Sequence, residues 1–232
     1  PPPPILSGLV GSEMCIRDST MPDGLSFDEA SFAEPLACVY RGQRRANIQP
    51  GQSIIVLGSG LAGLLHINLA RALGAGRIIA TDMVPDRLEA AENLGADHTF
   101  LATDDIPARL REVNDGRLAD LVIVCTGAPP ALQQGLDSVD RGGTVLFFAP
   151  TEPGVHISVP VNDLFFRNDA TLTTTYAGAP GDLATALEMS SSGRVLVGQM
   201  ISHRLGLEEA SLGFRLTAEA KSSLKVIIQP QR

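Results

Sequence analysis

The sequence predicts an α/β fold, a doubly wound parallel sheet with helices on both faces, and three observations lead there. Short apolar, β-branched runs alternate with helical stretches of about ten residues or more across residues 52–150. Runs such as "LVIV" are apolar without alternation, which fits strands buried on both faces. The first run ends in the glycine-rich "GSGLAG" and the second ends in an acid, Asp82.

Each element follows from its own pattern. "SIIVLG" reads as a buried strand ending in glycine. "LAGLLHINLARALGAG" places Leu61, Leu65, Leu69 and Leu73 at helical spacing, with glycines after the end. "RIIATD" is the second strand. "VPDRLEAAENLGA" is the second helix, with Pro85 suited to its first turn and Gly95 to its stop. "DHTFL" is a weaker third strand, "IPARLREVND" a third helix and "ADLVIVCTG" the fourth strand. "PPALQQGLDSVD" is the next helix and "GTVLFFAP" the fifth strand. After Pro150 the rhythm changes. "HISVPVNDLFF" alternates loosely, "ATLTTTY" is a strand and "DLATALEMSSSG" a helix. "LEEASLGFRLTAEA" is the last helix and "LKVIIQ" the last strand.

Composition narrows the function. The net charge of −8 argues against nucleic acid as a partner, because phosphate backbones need a basic patch. The densest basic cluster, Arg41, Arg44 and Arg45, reads as a solvated helix face. Cys15, Cys38 and Cys125 are too sparse for a disulfide framework, so a reducing cytoplasm is expected. No apolar run reaches the roughly 18 residues of a membrane span, so no membrane partner is expected. The opening "PPPPILSGLVGSEMCIRDST" lacks the basic start of a secretory signal. Its "VGSEMCIRDS" resembles translated sequencing-adapter sequence. Residues 1–19 are therefore read as a non-native segment, and the natural protein is expected to begin further upstream.

The glycine-rich turn carries the chemistry. Gly58, Gly60 and Gly63 match G-x-G-x-x-G between a strand and a helix, and Asp82 follows 22 residues past Gly60. Gly58 suits a tight turn, Gly60 close approach to a pyrophosphate, and Gly63 close packing of helix on strand. The amides at the helix start, where Leu61 stands, would hold phosphate. Asp82 would accept from the adenosine ribose hydroxyls of NAD, whereas a 2′-phosphate would meet a like charge there. At about 4 Å and an effective dielectric near 20, that repulsion is about 4 kcal/mol before screening. NAD is therefore expected over NADP, with Arg87 able to offset part of the repulsion. Thr126 and Gly127, ending the fourth strand, and Ala149 with Pro150, ending the fifth, are expected on the nicotinamide side. Cys125 reads as core, His66 as a packing or surface residue of a helix, His98 and His156 as surface residues, and His203 as a loop or strand residue.

These residues, with "AEPLAC", "PGQSIIVLGSGLAGLL", "GAGRIIATD", "LVIVCTGA", "DRGGTVLFF" and "HRLGLEEA…KVII", resemble the zinc-dependent medium-chain dehydrogenases, most of all their polyol and threonine dehydrogenase branch. The resemblance runs from about Pro22 to the C-terminus. It implies a Rossmann domain over residues 41–200. It also implies remnants of a GroES-like catalytic domain at both ends, a tail over 20–40 and a return over 201–232. It implies that Glu34, in "EPL", lies at a catalytic zinc, ligating the metal or its water, with Cys38 structural. A cysteine and a His–Glu pair would come from an upstream domain, so zinc is expected only in the full-length protein and this fragment is expected to be inactive alone. The implied reaction is hydride transfer between a secondary alcohol or polyol and NAD. The strand "LTTTY" implies a dimer or tetramer. Three alternatives stay open: a zinc-independent medium-chain reductase, a non-catalytic NAD-binding module, and a methyl transferase using S-adenosylmethionine.

Overall fold

The computed structural model describes residues 19–219 and 223–231. The segment read as non-native, Ser19 excepted, and Cys15 lie outside the described residues. A short helix α1 (Phe27–Ala30) leads into α2 (Ala33–Arg45). Alternating elements follow: β1 (Ser53–Leu57), α3 (Leu61–Ala72), β2 (Arg77–Asp82), α4 (Pro85–Asn93), β3 (His98–Leu101), α5 (Ile106–Val113), β4 (Ala119–Val124), α6 (Pro129–Asp137) and β5 (Val139–Phe147). A π-helical turn (Asn162–Arg167), β6 (Thr171–Thr174) and α7 (Pro180–Ser191) complete this unit.

Six strands form one parallel sheet in the order β3-β2-β1-β4-β5-β6. The order reverses between β1 and β4, which makes that boundary the topological switch point. Central strands are buried on both faces: in β1 every residue from Ser53 to Leu57 is buried. Two apolar layers result. One packs Ile54, Val56, Leu65 and Leu69 with the buried face of α2, including Leu36 and Val39. The other packs Ile55, Leu57, Val122 and Val124 against α5 and α6 through Leu110 and Leu136. Alternate residues of one strand thus feed opposite layers, as strand geometry requires.

A second, two-stranded parallel sheet pairs β7 (Ile201–Gly206) with β8 (Lys225–Gln229), and α8 (Ala210–Glu219) connects them. Asp28 of α1 joins it, accepting from Arg204 Nε at 2.6 Å and Gln229 Nε2 at 3.1 Å. Helix α2 runs without a break across positions 40 and 41.

Several elements differ from the sequence reading. Strand β5 begins at Val139, because Val139 pairs with Ala119 and an Arg117–Asp140 bridge of 2.9 Å pins the strand start. "HISVPVNDLFF" forms no strand; beyond Pro160 it coils into the π-helical turn, with Leu164 buried and Phe166 exposed. Strand β7 has no clear sequence signal, because Ser202 and Arg204 are exposed while the adjacent Leu205 and Gly206 are both buried. In the arginine cluster Arg44 and Arg45 are exposed and Arg41 is half-buried, but the face is also paired. Arg41 (3.5 Å) and Arg44 (2.8 Å) converge on Asp182, whose side chain is 4% exposed. Asp182 also accepts from Ala179 N at 2.9 Å, so one carboxylate both caps α7 and fastens it to α2.

Candidate functional site

The cradle begins where β1 ends. Gly58 has φ +98°, a left-handed conformation that favours glycine, and its amide donates to Thr81 O at 2.9 Å. The chain turns through buried Ser59 and enters α3 after Gly60, which caps the helix with no side-chain bond. The first-turn amides are thus not taken by a capping side chain, the arrangement in which a helix start receives an anion. A Cβ at Gly63 would lie 1.9 Å from Gly58 O, so the third glycine lets the helix seat on the turn. A Cβ at Gly60 would meet nothing nearer than Arg87 Nη1 at 3.8 Å.

Asp82, at the end of β2, is 7% exposed and faces this turn. Its Oδ2 accepts from Ser59 N at 2.8 Å and its Oδ1 from Val84 N at 2.9 Å. Arg87 Nη1 stands 3.8 Å from Oδ2. A carboxylate has about four acceptor positions, so capacity remains for hydroxyl donors. Arg87 is not the surface side chain its helix position suggests; it is 18% exposed and lies over the loop.

Thr126 and Gly127 follow β4 directly. The Thr126 Cβ comes within 3.4 Å of a Cβ built at Gly58, which places it beside the cradle. A Cβ at Gly127 would lie 2.3 Å from Pro150 O, so the ends of β4 and β5 close on one another. Ala149 N donates to Val124 O at 3.1 Å, fixing Ala149 to the same rim. Gly58, Gly60, Leu61, Gly63, Asp82, Arg87, Thr126, Gly127 and Ala149 therefore all lie at the carboxyl ends of β1, β2, β4 and β5.

Glu34 sits in the first turn of α2, exposed, and accepts from Cys38 Sγ at 3.2 Å, one turn on. With Cys38, Leu61, Phe148 and Tyr176 it lines a cavity of about 370 Å³. Leu61 belongs to both this cavity and the start of α3, so Glu34 stands next to the cradle. Lys225 of β8 comes to the same end. Its Nζ lies 5.2 Å over the Phe32 ring and 3.5 Å from Ser31 O. Burial lowers its pKa, and the charge of Glu34 opposes that shift. Among the described residues no group of three His, Cys, Asp or Glu is placed to hold a metal ion. A catalytic zinc takes three protein ligands. Glu34 and Cys38 do not make that set.

Burial pushes the Cys125 thiol up, in keeping with a packing role. His66 is fully buried, with Nδ1 3.1 Å from Gln43 Nε2 and its ring edge-on to Phe148 at 4.5 Å. His156 is exposed, His98 half-buried in β3, and His203 half-buried in β7. Sequence reasoning missed Phe148 and Tyr176, which no motif marks, and Lys225, which lies 191 positions beyond Glu34.

The family model described as zinc-binding dehydrogenase matches residues 62–192. A sorbitol dehydrogenase from Bacillus subtilis (strain 168) is 31% identical over 218 residues, covering 91% of this chain and 60% of that protein. The structure of an alcohol dehydrogenase from Thermus sp. ATN1 superposes with a TM-score of 0.82 at 30% identity, covering 91% of this chain and 62% of that one. An NADP-bound protein from Sinorhizobium meliloti 1021, described as a zinc-binding dehydrogenase, gives 0.83 at 26% identity, covering 90% and 61%. The chain thus spans about 60% of the length of these relatives. With more than half of its residues matched by the family model, the chain belongs to the zinc-binding dehydrogenase family.

Proposed function

We propose that this chain is the dinucleotide-binding part of an NAD-dependent alcohol or polyol oxidoreductase, which passes hydride between a secondary alcohol and nicotinamide. The observation that carries the reading is the turn at residues 58–63, with its uncapped helix start and Asp82 alongside. NAD, when bound, supplies the hydride acceptor. The amides at the start of α3 hold its pyrophosphate. Asp82 accepts from the adenosine ribose hydroxyls and disfavours a 2′-phosphate. Arg87 lies over the same loop and moderates that preference. Thr126, Gly127 and Ala149 orient the nicotinamide half. Glu34 faces the alcohol end, where a metal, if held, would need ligands besides Glu34.

In the same reading residues 20–40 and 201–232 belong to a catalytic domain flanking the dinucleotide domain at 41–200. The Asp28–Arg204 contact, which ties α1 to the small sheet, supports that grouping. The edge position of β6 supports assembly of copies into a dimer or tetramer. No helix among the described residues is long and apolar enough to cross a membrane. Sparse free thiols support a cytoplasmic setting.

The test is titration of the chain with NADH and NADPH, followed by fluorescence or calorimetry. NADH is expected to bind about tenfold or more tightly than NADPH, which corresponds to about 1.4 kcal/mol. Asp82→Ala is expected to erase that ratio. Equal dissociation constants in the unmodified chain refute the cofactor assignment.

A further inference from the structure

We infer that the substrate of this site carries an anionic group, a carboxylate or phosphate on a polyhydroxy chain, seated by Arg41 and Arg45. The inference rests on the oxidoreductase reading above and narrows it from neutral polyols to charged ones. A second cavity, of about 740 Å³, opens over the ends of β5 and β6. It shares Phe148, Thr175 and Tyr176 with the Glu34 cavity, so the two adjoin along one wall. Arg41 and Arg45 supply its charge, no acid lines it, and Phe147 and Ile157 make part of its wall apolar.

The charges in this corner do not cancel. Arg41, Arg44 and Arg45 lie within two turns of α2, and Asp182 answers only the first two. Arg45 has no carboxylate partner among the described residues; its Nε donates to the Thr174 carbonyl at 3.0 Å. Arg41 Nε is buried and has no hydrogen-bond partner among the described residues. A local excess of positive charge on a chain of net charge −8 marks a place for an anion. A neutral polyol would offer these guanidinium groups hydroxyl acceptors but no opposite charge. A carboxylate or phosphate accepts the paired N–H bonds that a guanidinium offers, and the apolar wall strengthens the attraction. Arg41 stands seven residues beyond Glu34 on the same helix, about 10 Å along the axis at 1.5 Å per residue. The anion would therefore sit several carbons from the hydroxyl that is oxidised. The redox step is unchanged: the carbinol C–H bond breaks and gives hydride to NAD⁺, the O–H proton is released, and the C=O bond forms. The anionic group takes no part in bond making.

Calorimetric titration of the chain, with and without saturating NADH, compares glucitol, gluconate and glucitol 6-phosphate. At least one anion is expected to bind tenfold or more tightly than glucitol. Which anion does so separates carboxylate from phosphate. Arg45→Gln, which leaves the Asp182 cluster intact, and the Arg41→Gln/Arg45→Gln double variant should each lower anion affinity, the double variant by tenfold or more. Glucitol and NADH affinities should hold. Equal binding of all three probes overturns the inference, as does an anion advantage that survives in the double variant. Failure of NADH to bind sinks the cofactor reading instead, and the titrations without NADH still decide this one.

Discussion

Two alanine substitutions, three positions apart in sequence, separate what the cradle does for folding from what it does for the cofactor. At Gly63 the added Cβ would fall 1.9 Å from Gly58 O and 2.9 Å from the Gly58 carbonyl carbon, both backbone atoms. Neither can swing aside as a side-chain tip can. The turn or the helix must move by more than an ångström, an overpacking cost of about 1–3 kcal/mol. Each kcal/mol lowers the melting temperature by about 2–4 °C in a chain of this size. The displaced turn should also lose tenfold or more in NADH affinity. At Gly60 the backbone lies at φ −70°, open to any residue, and the nearest atom to the new Cβ is Arg87 Nη1 at 3.8 Å. Gly60→Ala should therefore melt with the unmodified chain, yet bind NADH much more weakly, because the methyl group occupies the approach of the pyrophosphate. Thermal unfolding by circular dichroism and NADH fluorescence titration read the two quantities separately. A Gly63→Ala chain that melts within a degree of the parent, or a Gly60→Ala chain that binds NADH normally, refutes the reasoning.

Other expectations follow from buried polar groups. Burial holds the His66 pKa down to about 3 from 6.5. The unfolded chain therefore takes up the proton first. Stability is full above about pH 6.5 and falls as pH drops toward 3, by about 2 kcal/mol at pH 5. Denaturant titrations at pH 7 and 5 should show this loss in the unmodified chain and not in His66→Gln; equal loss in both would remove His66 as the cause. Asp182→Asn should cost about 2 kcal/mol, less than a fully buried pair because Arg44 is half exposed, and a double-mutant cycle with Arg44→Gln reads the coupling. Cys125, its thiol held protonated by burial, should resist iodoacetamide at pH 8 in the folded chain and react once the chain is unfolded, as mass spectrometry would record.

What the sequence makes legible is whatever depends on neighbours along the chain. β1 and β4 stand out because two-sided burial leaves the runs 54–57 and 121–124 without a polar residue. The cradle stands out because a left-handed turn at Gly58 and a Cβ-free contact at Gly63 each demand glycine at fixed spacing. The pairing of Arg41 and Arg44 is not legible because their carboxylate lies about 140 positions away, and no local pattern announces it. β7 is hidden for a similar reason: its exposed Ser202 and Arg204 interrupt the apolar pattern, and its partner strand lies beyond α8. Glu34 could be placed by resemblance alone, and its neighbours Phe148 and Tyr176 only by the fold.

Helix α2 carries Glu34 at its start and its arginines near its end, and it is anchored at the far end by Asp182 on α7. Between those ends Leu36 and Val39 are fully buried, and Gln43 Nε2 donates to the His66 carbonyl on α3 at 2.8 Å. One apolar layer thus holds α2, α3 and α7 together. A shift at the α2–α7 contact would reach the glutamate and the amides of α3 alike, so the alcohol end and the grip on the nucleotide are constrained in common.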